Sequence, residues 1–95
     1  MIVLITYDVN TEDADGRRRL RRVAKVCMNY GIRVQKSVFE CNLTPAQRVT
    51  IESDLRGIVD EEKDSLRIYD LGSNPSKITH IGSKEPLRFD GLLMF

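Results

Sequence analysis

Residues 2–9, IVLITYDV, form a nearly continuous apolar run that carries its first charge at Asp8. Such a run predicts a central strand, covered on both faces, or covered on one face by helices and on the other by a partner. Residues 10–16 are polar and acidic, with turn chemistry at Asp15-Gly16, and read as a loop. Leu20, Val23, Ala24 and Cys27 then recur at i, i+3, i+4 and i+7, which predicts a helix to about Tyr30. Gly31 stands where a left-handed C-terminal cap is expected. Residues 33–43, RVQKSVFECNL, are rich in β-formers: one long strand, or two short ones kinked near Lys36-Ser37. No Gly or Pro marks a turn there, so the pattern leaves both open.

Thr44-Pro45-Ala46-Gln47 is a strong helix start. Thr44 can cap, Pro45 suits the first helical position and Gln47 can close a capping box. This second helix is expected to reach about Val59, with Val49, Ile51, Leu55, Ile58 and Val59 as its apolar residues. The acidic stretch 60–64 reads as a solvated loop. A strand at Leu66–Leu71, a Gly-Ser-Asn-Pro-Ser break, a short strand at Ile78–Ile81, a linker containing Pro86 and the apolar end Leu92-Leu93-Met94-Phe95 complete the chain. Alternating strands and two helices describe an α+β sandwich in which the helices cover one sheet face. The other face and the apolar end both need cover. They point to a homodimer packed sheet to sheet, with residues 92–95 added as a strand to the partner's sheet.

At 95 residues the chain is one domain, 1–95, burying roughly 60–65% of its unfolded surface. No apolar stretch of about 18 residues is present to span a membrane. The N-terminus lacks the basic start of a signal peptide. The two cysteines, without a CxxC or a nearby histidine, read as reduced thiols, which implies a cytoplasmic location. Cys27 falls on the apolar side of the first helix and reads as core.

Net charge is only +1, yet the charges are strongly segregated. Four acids and no base precede Gly16; eight bases and no acid lie between Gly16 and Lys36. On a helix, Arg18, Arg22 and Lys25 point away from the apolar stripe, while Arg17, Arg19 and Arg21 flank it. A face kept merely soluble would mix signs and gain i,i+4 pairs. An unmixed one suits phosphate, through Arg forks and Lys point charges. A dense cationic segment beside the Asp8 carboxylate therefore suggests a polyanion bound there and cut there.

MIVLITYDV at the start, RRRLRRVAK, RVQKSVFEC and DSLRIY, in this order over almost the whole chain, resemble the CRISPR-associated protein two family. The resemblance implies a ferredoxin-like βαββαβ fold with an extra C-terminal strand and a two-fold homodimer. It also implies a role in spacer acquisition beside the CRISPR-associated protein one integrase. Family members are metal-dependent endonucleases on RNA or double-stranded DNA, or scaffolds whose own cleavage is dispensable. Some resemble toxin-type ribonucleases.

Asp8 matches the family's metal-binding aspartate. Mg²⁺, with Mn²⁺ as a substitute, takes hard oxygen ligands and often uses one or two carboxylates plus substrate phosphate. One aspartate per chain makes half of such a site; a two-fold axis near the end of the first strand would bring in the second. Arg17, nearest the Asp8 loop, is the first choice for phosphate contact, with Arg18, Arg19, Arg21, Arg22, Lys25 and Arg33 as further nucleic-acid contacts. Tyr7 points to the side of the strand opposite Asp8 and is expected to pack. Ser37 is placed to bond a phosphate or support Asp8, and Phe39 to fill the core or stack a base. No His/Asp arrangement accompanies Ser37, and His80, in strand-like surroundings, is not expected to ligate metal.

Overall fold

The computed structural model describes residues 1–74 and 78–82. Six elements follow in order: β1 (Ile2–Asp8), α1 (Ala14–Tyr30), β2 (Gly31–Gln35), β3 (Val38–Asn42), α2 (Pro45–Arg56) and β4 (Ser65–Gly72). The strands form one antiparallel sheet in the order β2-β3-β1-β4, the ferredoxin-like arrangement.

Strand β1 alternates sharply. Val3, Ile5, Tyr7 and Val9 are buried, whereas Leu4 and Thr6 are half-buried and Asp8 is exposed. Registers Ile5↔Phe39 and Ile5↔Ile68 put those three side chains on one face, where Val23, Cys27, Ile51 and Leu55 of the helices complete the core. Leu4, paired with Tyr69 and Glu40, and Thr6, paired with Val38 and Arg67, mark the face away from the helices. Cys27 and Cys41 are free, buried thiols; burial pushes them up to about 11 and about 12 respectively.

Local chemistry moved several expected boundaries. Helix α1 begins before Asp15-Gly16, not after it, because the Asp13 carboxylate accepts from the Gly16 N–H (2.8 Å) and caps the helix at Ala14. Gly31 is extended (φ −161°, ψ −165°), not a left-handed cap. It opens β2 directly, and its missing Cβ is what the spot requires: a Cβ would run into the Glu40 carbonyl and lie 2.6 Å from Cys41 Sγ.

Residues 33–43 resolve into two strands around a turn at Lys36-Ser37, bracketed by Gln35↔Val38. The Thr44–Gln47 capping box forms as expected. Helix α2 stops at Arg56 rather than Val59, and Val49 lies on its outer side, 71% exposed. The expected strand at 78–81 is absent: residues 78–82 carry no strand. The expected strand at 92–95 and the Pro86 linker lie outside the described residues.

Candidate functional site

Asp8 ends β1 opposite Ser65 of β4, on the face away from the helices. Among the described residues its carboxylate makes no hydrogen bond or ion pair. The backbone around it is held. The Tyr7 N–H donates to the Ser37 carbonyl (3.1 Å), the Asn10 N–H donates to Asp64 Oδ1 (3.0 Å), and Val9 is sunk into the core. An exposed, unpaired carboxylate on a fixed backbone is a suitable hard ligand. It is also a solitary one: no group of three His, Cys, Asp or Glu able to hold a metal occurs among the described residues. One chain therefore fits a Mg²⁺ ion only as half of a site.

The chain reverses after Asp8 and enters α1 through a tight contact. Gly16 is buried in the first helical turn, where a Cβ would run into the Asn10 carbonyl. This seats the positive end of the helix at the Asp8 end of the sheet. Arg17 Nη1 donates to the Thr11 carbonyl (3.3 Å), so its guanidinium borders that loop. Arg18, Arg21, Arg22 and Lys25 follow at i, i+3, i+4 and i+7, one continuous exposed stripe about 10 Å long. Among the described residues only Arg18 of this stripe has an acidic neighbour, Asp15 at 3.9 Å, and both side chains are well exposed. Arg21, Arg22 and Lys25 have no partner among the described residues. The stripe covers the outer surface of the helix layer, whereas Asp8 faces away from that layer. The two meet only at one end of the molecule, where α1 begins and β1 ends.

Arg19 departs from the expected solvated ridge. Its Nε and Nη2 donate to Asp64 Oδ2 (2.8 Å) and Oδ1 (3.2 Å), and the Asp64 side chain has no exposed surface. Arg19 is thus engaged inside the fold. The 60–64 segment is correspondingly more than a solvated loop, since Asp64 also accepts from the Asp60 N–H (2.9 Å). Burial alone would raise the Asp64 carboxyl. The Arg19 fork and the N–H groups of Asp60 and Asn10 outweigh burial and hold it below the ordinary carboxylate range. The signal in the sequence was its position, one residue before the strand pattern SLRIYDL.

Tyr7 and Phe39 both pack in the core, stacked with centroids 6.2 Å apart, so neither presents a face to a base. The Tyr7 Oη is buried and makes no hydrogen bond; burial raises its phenol, and the nearby Arg33 opposes this. Arg33, on edge strand β2, lies over the Phe39 ring at 5.2 Å, a cation–π contact that leaves it exposed to solvent. Ser37 contributes its carbonyl to the end of β1. The Tyr7–Ser37 hydrogen bond extends the β1–β3 pairing by one residue past Thr6↔Val38, and Lys36 precedes it in the hairpin turn at that end of the sheet. Lys36 is therefore a base at the Asp8 end that helix periodicity did not single out. His80 is exposed and outside any strand.

The family model for CRISPR associated protein Cas2 matches residues 1–77. A CRISPR-associated endoribonuclease Cas2 of Chlorobaculum tepidum is 58% identical over 95 residues, 99% of each chain. A CRISPR-associated endonuclease Cas2 of Halalkalibacterium halodurans is 52% identical over the full length of both. The crystal structure of Streptococcus pyogenes Cas2 at pH 6.5 superposes with a TM-score of 0.75 at 55% identity, over 86% of this chain and 100% of that one. A chain of a partial Cas6-RT-Cas1–Cas2 complex superposes with a TM-score of 0.64 at 27% identity, over 84% of this chain and 88% of that one. Fold and matched sequence agree: the chain belongs to the CRISPR associated protein Cas2 family.

Proposed function

We propose that this protein acts in CRISPR adaptation as a homodimeric endonuclease, cutting phosphodiester bonds in RNA or double-stranded DNA. The observation that carries this is the free Asp8 carboxylate on a fixed strand end, at the end of the sheet where the basic helix begins. The names of the Chlorobaculum and Halalkalibacterium relatives, endoribonuclease and endonuclease, support the activity.

Within such a dimer the residues divide the work. Arg18, Arg21, Arg22 and Lys25 hold phosphates without reading bases. Arg17 borders the Asp8 loop, and Arg67, paired with Thr6 on the strand beside Asp8, shares its face of the sheet; Arg33 stands farther off, over Phe39. Asp8 and the Asp8 of a second copy would hold Mg²⁺, or Mn²⁺ in its place. A bound ion there would supply Lewis-acid stabilisation of the phosphate and an activated water. Without the ion, two such carboxylates brought close would share a proton. The half-buried Leu4, Ile32 and Val38, with the more exposed Tyr69, lie on the helix-free face and suit sheet-to-sheet pairing.

A second assignment keeps the dimer and the nucleic acid but not the cutting: a scaffold beside the CRISPR-associated protein one integrase. The lack of any three-ligand metal cluster among the described residues and the likeness to a chain from a partial Cas6-RT-Cas1–Cas2 complex favour it. The toxin-like ribonuclease has no comparable support. Cleavage of defined RNA and duplex DNA, with and without Mg²⁺, decides between enzyme and scaffold. Native protein should cut only with metal, and Asp8→Ala should abolish cutting while folding and binding persist. Equal activity of the variant refutes the assignment to Asp8; no metal-dependent cutting by native protein leaves the scaffold.

A further inference from the structure

The Asp64 carboxylate receives four hydrogen bonds from three places in the chain. The Asn10 N–H lies two residues beyond Asp8, the Arg19 fork comes from the second turn of α1, and the Asp60 N–H closes the turn before β4. Ser65, the next residue, is the cross-strand partner of Asp8. The Asp64 side chain is fully shielded and that of Arg19 is 14% exposed, so this junction sits beneath the surface. Nothing about it faces a ligand. Its geometry joins the strand that ends in Asp8 to the helix that carries the basic stripe.

We propose that Asp64 and Arg19 are positioning residues of the nuclease: they form a clasp that fixes the distance and angle between Asp8 and the phosphate-holding helix. This rests on the nuclease assignment above. The clasp itself touches no substrate. Loop 9–13 links β1 to α1 and has its own ties: the Asn10 side chain bonds the Glu12 carboxylate and backbone, and Gly16 seats on Asn10. Those ties are internal to the β1–α1 connection. Among the described residues two contacts fasten this connection to the segment that enters β4, on the side where Asp8 is paired: the shielded Asp64 junction and a long, exposed Lys63–Asp13 ion pair (4.0 Å). Charge also assigns Arg19 to the clasp: its guanidinium is already matched by a shielded carboxylate, unlike those of Arg21 and Arg22.

Asp64→Asn keeps the size but cannot accept from four N–H groups with one amide oxygen. Arg19→Lys keeps the charge but loses the two-pronged fork. With either variant, turnover should fall, up to roughly 100-fold for an ångström of misplacement, while duplex affinity and its salt dependence stay as in native protein. Amide exchange should quicken at 8–11 and 60–65 and stay native in β3 and α2. Lys should lose less than Arg19→Ala, since it restores the charge. Native turnover in both variants overturns the proposal. So does a parallel loss of affinity, or faster exchange across the whole chain, either of which would make the clasp a general support of the fold. If Asp8→Ala also leaves cleavage intact, the assignment of cutting to Asp8 has failed by itself. Exchange then decides alone: faster exchange confined to 8–11 and 60–65 upholds the clasp, and native exchange there overturns it.

Discussion

A methyl group is enough to probe how α1 meets the Asp8 loop. Gly16→Ala would push a Cβ into the Asn10 backbone carbonyl, an atom that cannot swing aside as a flexible side chain would. The expected cost is about 1–3 kcal/mol of stability, the range for overpacking a closed site, seen as a lower midpoint in denaturant unfolding. An unchanged midpoint would mean that the loop gives way freely. The same position shows why sequence signals misplaced this boundary. Asp15-Gly16 resembles a turn, but the Gly is needed for close approach and the cap is Asp13, whose carboxylate takes up the Gly16 N–H. Asp64 was illegible for a different reason. An acid among acids reads as solvated, and only the three-dimensional meeting of Asn10, Asp60 and Arg19 makes it buried and paired. By contrast the opposed faces of Tyr7 and Asp8 followed from period-two alternation, which assigns faces without knowledge of neighbours.

At the scale of the element, α1 divides its circumference between two tasks. Val23, Ala24 and Cys27 are buried, and among the described residues the outward stripe of Arg18, Arg21, Arg22 and Lys25 makes only one weak contact with an acid. Replacing Arg18 and Arg22 with Ala should therefore leave thermal stability nearly unchanged. Affinity for duplex DNA should fall evenly across sequences. In a dimer about four phosphate contacts are lost, and the slope of log K against log salt should flatten by about 3–4 units. A titration series in salt measures this; unchanged slope and affinity would reduce the stripe to a solvated helix face. The helix was readable from its apolar period, and so was the outward placement of Arg18, Arg22 and Lys25; Arg21, expected to flank the apolar stripe, is exposed with them. Arg19 was not, because 3.6-residue geometry says which side a residue leaves from, not what waits there. The β2–β3 hairpin was ambiguous for want of Gly or Pro; its turn at Lys36-Ser37 is set by the ladders on either side.

For the whole molecule, acid is the revealing perturbation. Four carboxyls are held below their ordinary range: Asp13 by the Gly16 N–H, Glu52 by Arg48 and then Arg56, Asp70 by Arg48, and Asp64 by the clasp despite its burial. Each depressed value adds stability that is present above the unfolded pKa, about 4, and is lost as pH falls through the folded value. Thermal midpoints should hold from neutral pH to about 5 and then drop toward pH 3. Asp13, Glu52 and Asp70 are solvent-screened, so Asp64→Asn should flatten this acid limb more than Asp70→Asn. Equal acid limbs would show that the shielded junction contributes nothing special. The association state is the other whole-molecule quantity. Sedimentation at micromolar concentration should show a dimer, and removing residues 92–95 should weaken it; a native monomer refutes the paired-Asp8 arrangement.

Two glycines fifteen positions apart bracket α1, and neither tolerates a side chain: Gly16 against the Asn10 carbonyl and Gly31 against β3, with no loop between helix and strand. The helix is therefore measured at both ends, like a beam cut to fit between two sockets. Changes of residue type on its outer side are free, so lineages can retune how strongly the protein grips its polymer. Changes of length are not. One residue inserted would turn everything beyond it by about 100°, unseating a socket or rotating part of the charged stripe toward the sheet. Natural variation should accordingly alter the lettering of this helix while conserving its length, and insertions should collect in the stretch before Asp13.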